Sequence, residues 1–321
     1  MLDGAARLTE LFEETNRLGM TALATTDHGY LFGAFDFWSK ATAAGVKPII
    51  GIEAYVTPGT ARDDKTRVKW RTEESQKRDD VSGGGLYTHM TLLSYNNTGM
   101  KNLFKASSIA SLDSVFGKYP RLDRDLLNTY HEGIIATTGC PSGEVQTKLR
   151  LGQYNEAKAA AAEFQDLFGK ENYFCELMDH GLDIERRVTQ DLLRLSKELN
   201  IPLVATNDLH YTHEHDAKAH EALLAINSGS TLDEPTYDQG GSRFAFSGSG
   251  YYLKSPAEMR HLFKELPEAC DNTLLIAERA EVSFDTSANY MPRFPCPPGE
   301  DETSWLIKEV DKGLHYRYPG G

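Results

Sequence analysis

Short apolar runs that end in metal-binding side chains punctuate the first two thirds of the chain. Ala22-Leu-Ala-Thr-Thr-Asp-His-Gly, Gly133-Ile-Ile-Ala-Thr-Thr-Gly-Cys and Ile201-Pro-Leu-Val-Ala-Thr-Asn-Asp-Leu-His-Tyr share one pattern: apolar residues, then threonine, then a potential ligand. Such runs predict buried strands, and the spacing of three and four between them predicts helices. Strands are expected at Ala22–Thr26, Pro48–Tyr55 (carrying Glu53), Tyr87–Leu93 (carrying His89), Gly133–Thr138, Tyr173–Met178 (carrying Glu176, with His180 just beyond) and Leu203–Thr206, which leads to Asp208 and His210. Helices are expected at Ala5–Leu18, stopped by Gly19, at Gly33–Ala44, stopped by Gly45, at Met100–Leu112, at Gln153–Phe168, and from Asp183, read as a cap, to about Leu199. The alternation implies a parallel sheet with helices outside it. A closed barrel and an open doubly wound sheet satisfy it equally. The chain holds no Gly-x-Gly-x-x-Gly and no Gly-Lys-Ser/Thr loop, which removes support from nucleotide-binding versions.

Beyond residue 211 the pattern changes. Glu214–Ile226 and Pro267–Ala280 read as helices, and Ser255-Pro-Ala-Glu258 is a capping box with proline in the first turn. The tail from Tyr290, Met-Pro-Arg-Phe-Pro-Cys-Pro-Pro-Gly-Glu, reads as a linker, followed by a helix start at Thr303–Lys312.

Composition narrows the class. Apolar residues at 40% and charged residues at 25% of 321 describe a globular chain with a large core. No apolar run approaches the roughly 18 residues that cross a bilayer. The opening Met-Leu-Asp-Gly-Ala-Ala-Arg has no basic region followed by an apolar one, and the four cysteines, at 140, 175, 270 and 296, show no paired spacing. A cytoplasmic protein without membrane contact is therefore expected. The net charge of −13 argues against a surface that binds nucleic acid throughout. One stretch departs from it: Arg62, Lys65, Arg67, Lys69, Arg71, Lys77 and Arg78 surround Trp70, with acidic residues interleaved. A solvated loop is expected there, with a nucleic-acid contact through Trp70 as the alternative.

Asp27, His28, Glu53, His89, Cys140, Asp208 and His210 all stand at or near expected strand ends. In a barrel these ends converge on one face, where active sites form. Imidazole, carboxylate and thiolate together suit zinc, manganese or iron, and clustered divalent ions suit phosphoester hydrolysis. Each residue also has an ordinary reading: a strand-end histidine can be a satisfied core residue, Cys140 a small buried hydrophobe and Asp3 a cap for the first helix. Asp208 with His210 resists that reading, because side chains two apart share one side of a strand. His131, His213, His215, His220 and His261 read as surface residues.

Thr25-Thr-Asp-His-Gly, Gly51-Ile-Glu-Ala-Tyr, Thr88-His-Met-Thr-Leu-Leu, Thr137-Thr-Gly-Cys-Pro-Ser-Gly and Thr206-Asn-Asp-Leu-His-Tyr, in that order, resemble the PHP (polymerase and histidinol phosphatase) domain. They look most like the branch at the N-terminus of bacterial DNA polymerase III alpha subunits, and Gly250-Tyr-Tyr-Leu-Lys-Ser-Pro and Asn272-Thr-Leu-Leu-Ile-Ala-Glu-Arg also fit that branch. The resemblance implies an α/β fold, a distorted seven-stranded β/α barrel, here lacking its first strand, over residues 1–285. Residues 286–321 would be a linker and helical lead-in to a polymerase palm. It implies metal ligands at Asp3, His28, Glu53, His89, Cys140, Asp208 and His210, with Asp3 and Asp208 catalytic and Asp27 orienting His28. It implies zinc, manganese or iron at this site and 3′–5′ exonuclease proofreading. DNA, dNTPs, replisome subunits such as the sliding clamp, and magnesium in a palm beyond residue 321 belong to the full-length enzyme. An inactive scaffold or a stand-alone metallophosphoesterase are the alternatives. The family's opening His-x-His is expected a few residues upstream of Met1, either in a longer natural chain or in the part from which this sequence was cut.

Overall fold

The threonine-ended runs do form strands, and the alternation along them builds a layered interior. In the computed structural model, which describes residues 3–70, 82–289 and 291–320, these are β1 (Ala22–His28), β2 (Lys47–Val56), β3 (Thr88–Ser94), β4 (Val115–Phe116), β5 (Tyr119–Leu122), β6 (Ile134–Thr137), β7 (Tyr173–Leu177) and β8 (Leu203–Ala205). The helices among the described residues are α1 (Leu8–Arg17), α2 (Ala34–Ala43), α3 (Asn97–Asp113), α4 (Arg124–Tyr130), α5 (Glu144–Arg150), α6 (Tyr154–Phe168), α7 (Asp183–Leu199), α8 (Ala217–Ser228), α9 (Pro256–Leu262), α10 (Pro267–Arg279) and α11 (Glu302–Arg317). The chain divides into two compact units, Met1–Ser283 and Phe284–Gly321.

Strand order in the sheet is β4-β5-β2-β3-β6-β7-β8, with β1 also on β2. β2 is long enough to carry β1 beside Lys47–Glu53 and β5 beside Tyr55–Val56 on one edge, with β3 on the other. Among the described residues no strand pairs with the outer edges of β1 and β8, so the sheet stays open there. The expectation of a parallel sheet is corrected at β3, which runs antiparallel to both β2 and β6. It enters where β2 leaves, with Thr88 opposite Val56, and a chain that re-enters at the same end must run back. The β4–β5 hairpin was not expected. Its two-residue loop, Gly117 (φ +62°) and Lys118, is a hairpin turn whose flanking strands are too short to show a periodic pattern.

Successive strand residues point to opposite faces. One face, with Ile52, Ala54, Leu92, Ala136, Cys175 and Leu203 among others, packs under α3 through α7 in the main core. The other face begins with Ile49, Leu93, Ile135, Phe174 and Val204, closed by Ile276 and Ala280 of the α10 region. Two residues along each strand from that apolar floor, Thr91 and Thr206 donate hydrogen bonds to Glu176 at 3.1 and 2.7 Å, and Thr137 donates a third. Thr91, Thr137 and Thr206 thus form the second layer of the interior, where their hydroxyls satisfy one buried carboxyl.

Several local expectations shift. Asn96, not a residue near Met100, caps α3 by accepting from Gly99 N at 2.9 Å, and Asp183 opens α7 rather than capping it. Trp70 is buried against Leu151 with Lys148 over its ring at 5.6 Å, so it does not offer its face to nucleic acid. Arg62 pairs with Asp123 at 3.3 Å. Arg71, Lys77 and Arg78 of that stretch, and Tyr290, lie outside the described residues. In the second unit Asp301 caps α11 by accepting from Ser304 N at 2.7 Å, and Leu306, Ile307 and Val310 of that helix are exposed. Among the described residues no helix is long and apolar enough to cross a membrane.

Candidate metal centre

Above the floor and the threonine layer, the third layer consists of the sequence-predicted ligands. Parallel pairing sets His28 at the end of β1 directly opposite Glu53 on β2. Antiparallel pairing sets His89 opposite Tyr55. His89 stands near the start of its strand, not the end, and reaches the same rim because β3 is reversed. Its Nδ1 lies 2.5 Å from Glu53 Oε1, while Glu53 Oε2 lies 3.5 Å from Nδ1 of His28. The Cys140 loop hooks onto β3 through a His89 N–H donated to Ser142 O at 3.0 Å. A side chain at Gly139 (φ +80°) would meet His89 O at 2.7 Å, so this hook needs glycine. Cys140 Sγ then sits 3.5 Å from Glu53 Oε1 and 3.6 Å from His89 Nδ1.

Asp3 reaches the cluster from the N-terminal segment, with Oδ2 at 2.7 Å from His28 Nε2 and 3.6 Å from His210 Nε2. It caps no helix, since α1 begins after Arg7. Asp208 Oδ1 lies 3.8 Å from His210 Nδ1, and Asp208 adopts φ +45°, a left-handed conformation that non-glycine residues seldom take. The ligand atoms of Asp3, His28 and His210 all lie within 4.8 Å of one another, as do those of His28, Glu53 and His89, so His28 is common to both groups. All seven predicted residues therefore gather at one rim. Asp27 does not join them: strand alternation turns it to the opposite face, beside Gly33, and Asp3 holds the His28 ring in its place.

Charge explains the arrangement. Burial disfavours the His28 imidazolium, but Glu53 and Asp3 outweigh it and raise its pKa to about 9. Burial likewise opposes charge on Glu53, yet His28 and His89 pull it down to about 2, and His210 and His28 hold Asp3 well below the usual carboxylate range. His210 is raised because Asp3 and Asp208 overcome its burial. Burial beside Glu53 and Asp208 pushes the Cys140 thiol well up, and burial beside Glu53 raises Asp208. Protonated imidazoles thus supply the positive charge that the clustered carboxylates need. His28 Nδ1 is buried without a hydrogen-bond partner, an orphaned donor atom set among carboxylates.

Three contributors were not read from the sequence. Glu176 holds the threonine layer beneath the rim. His220, expected at the surface, is only 2% exposed, and its Nε2–H donates to the Asp3 carbonyl at 2.5 Å. Its spacing of four from buried Leu224 was the signal that it lay on the inner stripe of α8. Tyr55, Tyr87 and Tyr119 pack together with ring centroids 4.7–5.0 Å apart and wall the site beside His28 and His89. His213 is half-buried, 3.3 Å from Glu10, and His131 is half-buried with its Nδ1 against Asn128 O, whereas His215 and His261 are exposed as expected.

DNA polymerase III subunit alpha of Mycobacterium tuberculosis is 54% identical over the whole of this chain, and that of Thermus aquaticus is 39% identical over 99% of it. The chain spans about a quarter of these relatives, 27% and 25% of their lengths. Among solved structures, an amidohydrolase from Chromobacterium violaceum overlaps loosely, with a TM-score of 0.38 and 13% identity over 66% of this chain and 85% of that one. Residues 1–180, which hold five of the seven rim residues, match the family model described as PHP domain, and the chain belongs to that family.

Proposed function

We propose that this chain is the N-terminal PHP portion of a bacterial replicative DNA polymerase, and that its rim cluster holds divalent metal ions and removes nucleotides from DNA 3′ ends. The observation that carries the metal reading is the pair of three-residue groups sharing His28, each with ligand atoms within 4.8 Å. The orphaned His28 Nδ1 and the surplus of carboxylates are what a cation would satisfy. Asp3, His28 and His210 would hold one ion and His28, Glu53 and His89 would border a second, with Cys140 and Asp208 beside them. Imidazole, carboxylate and thiol donors suit zinc, manganese or iron. Bound there, such ions supply Lewis acidity and a water of lowered pKa, the chemistry that phosphodiester cleavage needs.

The chain's own residues do the rest. Glu53 orients the His89 imidazole and sets its charge beside His28, Asp3 and Asp208 bracket His210, and the threonine–Glu176 layer gives the ligands a rigid base. The three tyrosines cover one flank and limit water there. Asp3 and Asp208 are the proposed catalytic carboxylates. The parent enzyme would act in the cytoplasm, extend primers with dNTPs using magnesium in a palm beyond residue 321, and meet DNA and replisome subunits such as the sliding clamp. Similarity to polymerase subunits over the whole of this chain supports this over a stand-alone phosphoesterase.

The test is degradation of a 5′-labelled single-stranded oligonucleotide by the manganese-loaded chain. Stepwise shortening from the 3′ end is expected, stopped by chelation and by Asp208→Asn. An intact oligonucleotide with metal-loaded, folded protein would refute the nuclease and favour a scaffold role.

A further inference from the structure

The stretch Gly250-Tyr-Tyr-Leu-Lys takes no part in the chemistry above, yet it is bound to the loop that carries Asp208 and His210. Asn207 Nδ2 donates to Gly250 O at 2.9 Å and to Tyr252 O at 2.8 Å, while its Oδ1 accepts from Lys254 Nζ at 2.8 Å. Backbone N–H groups of His210 and Tyr211 donate to Tyr251 O at 2.8 and 3.3 Å, and Leu253 N–H donates to Thr212 O at 3.2 Å. From the other side the His180 ring stacks on Tyr251 with centroids 4.1 Å apart. Its Nε2 faces Asn207 O at 2.9 Å, and its Nδ1 faces Glu185 Oε1 at 2.6 Å.

The residue at the centre of this web is Asp208, with φ +45°. A non-glycine residue stays in that conformation only when its surroundings over-determine it, and such positions cluster at functional sites. A loop free to relax would move the Asp208 carboxylate away from His210. Asn207 is the joint, because one side chain makes three bonds to residues 250–254.

We propose that residues 250–254 form a strap that acts through Asn207 to hold Asp208 and His210 in register with Asp3, His28 and Glu53. Asn207 is a positioning residue, and the strap lies outside the stretch matched by the family model. The inference rests on the metal reading of the rim, and its test separates the two.

The variants are Asn207→Ala, which removes three bonds, and Lys254→Met, which removes the bonds from Nζ to Asn207 Oδ1 and to Gly250 O. Asn272→Ala is the control: it deletes a comparable bond, to Leu203 O at 2.7 Å, without touching the loop. Amide exchange over residues 206–212 is measured in metal-free protein, and cobalt(II) affinity by calorimetry and visible absorption. Asn207→Ala should speed exchange there at least tenfold and weaken cobalt binding at least tenfold. Lys254→Met should do less of both and Asn272→Ala neither. Faster exchange with wild-type cobalt affinity overturns the proposal, as does no change in either. Wild-type protein that binds no cobalt overturns the metal reading and the positioning role with it, while exchange still shows whether the strap holds the loop. If Asn207→Ala does not fold, Lys254→Met decides by the same two measurements.

Discussion

Loading the rim with a cation must expel protons, and the ion pairs set how many. In the metal-free protein the His28 pKa stands at about 9, so at pH 7.5 the ring is about 97% protonated. His210 is raised as well. A ligand imidazole must be neutral, so binding at Asp3, His28 and His210 releases nearly one proton from His28 and a further fraction from His210. Apparent affinity should therefore rise about tenfold per pH unit between pH 7 and 8 from His28 alone, and level off above its pKa. Calorimetric titration with manganese at pH 7.5, in buffers of differing ionisation enthalpy, reads the proton count from the slope. Zero proton release, or an affinity that does not change between pH 7 and 8, would refute the charge reading of the site. The same pairs set the pH dependence of metal-free stability. The His28 shift from 6.5 to about 9 stabilises the fold fully below pH 6.5 and is lost as pH rises through 9. It is worth at most about 3 kcal/mol before solvent screening, which a ring about a third exposed does not escape. Glu53, lowered from 4.5 to about 2, acts at the other end: its contribution is present above pH 4.5 and is lost as pH falls through 2.

His220→Phe keeps an aromatic ring but orphans the Asp3 carbonyl; it should cost about 1–3 kcal/mol and weaken cobalt binding at the Asp3 group, leaving that of Glu53 and His89 intact. Cobalt spectra identical to wild type would count against it. Gly99→Ala should destabilise by about 3 kcal/mol in urea unfolding, because the added methyl would lie 1.9 Å from the Gly133 carbonyl oxygen, and backbone there cannot step aside. A shift within 0.5 kcal/mol (roughly the scatter for neutral surface changes) would be a failure. Arg124→Met leaves Glu144, 5% exposed, with Lys148 as its remaining cation. About 2 kcal/mol should be lost at pH 7, and less in Glu144→Gln protein, where no buried charge is stranded.

Much of this protein is readable without its fold. Strands and helices follow from local periodicity, and six of the seven rim residues stand out because metal-binding side-chain types at or near the ends of apolar runs are a local pattern too, whereas Asp3 was singled out as a ligand only by the resemblance to the PHP domain. The threonines were visible in the same way, but their purpose was not. It depends on Glu176 from another strand, and only the sheet order brings Thr91, Thr137 and Thr206 to one carboxyl. Strand direction was likewise hidden: an apolar run reads the same whichever way it enters the sheet, so the reversal of β3 that brings His89 to the rim was decided by where its chain re-enters. Trp70 and His220 were misplaced for a related reason, since a residue's polarity does not say which neighbours will cover it. The sequence determined which side chains were available as candidate ligands. The tertiary structure decided that Asn207, His220 and residues 250–254 should hold them in place, because those bonds join segments from about 40 to more than 200 residues apart, beyond the reach of any local pattern.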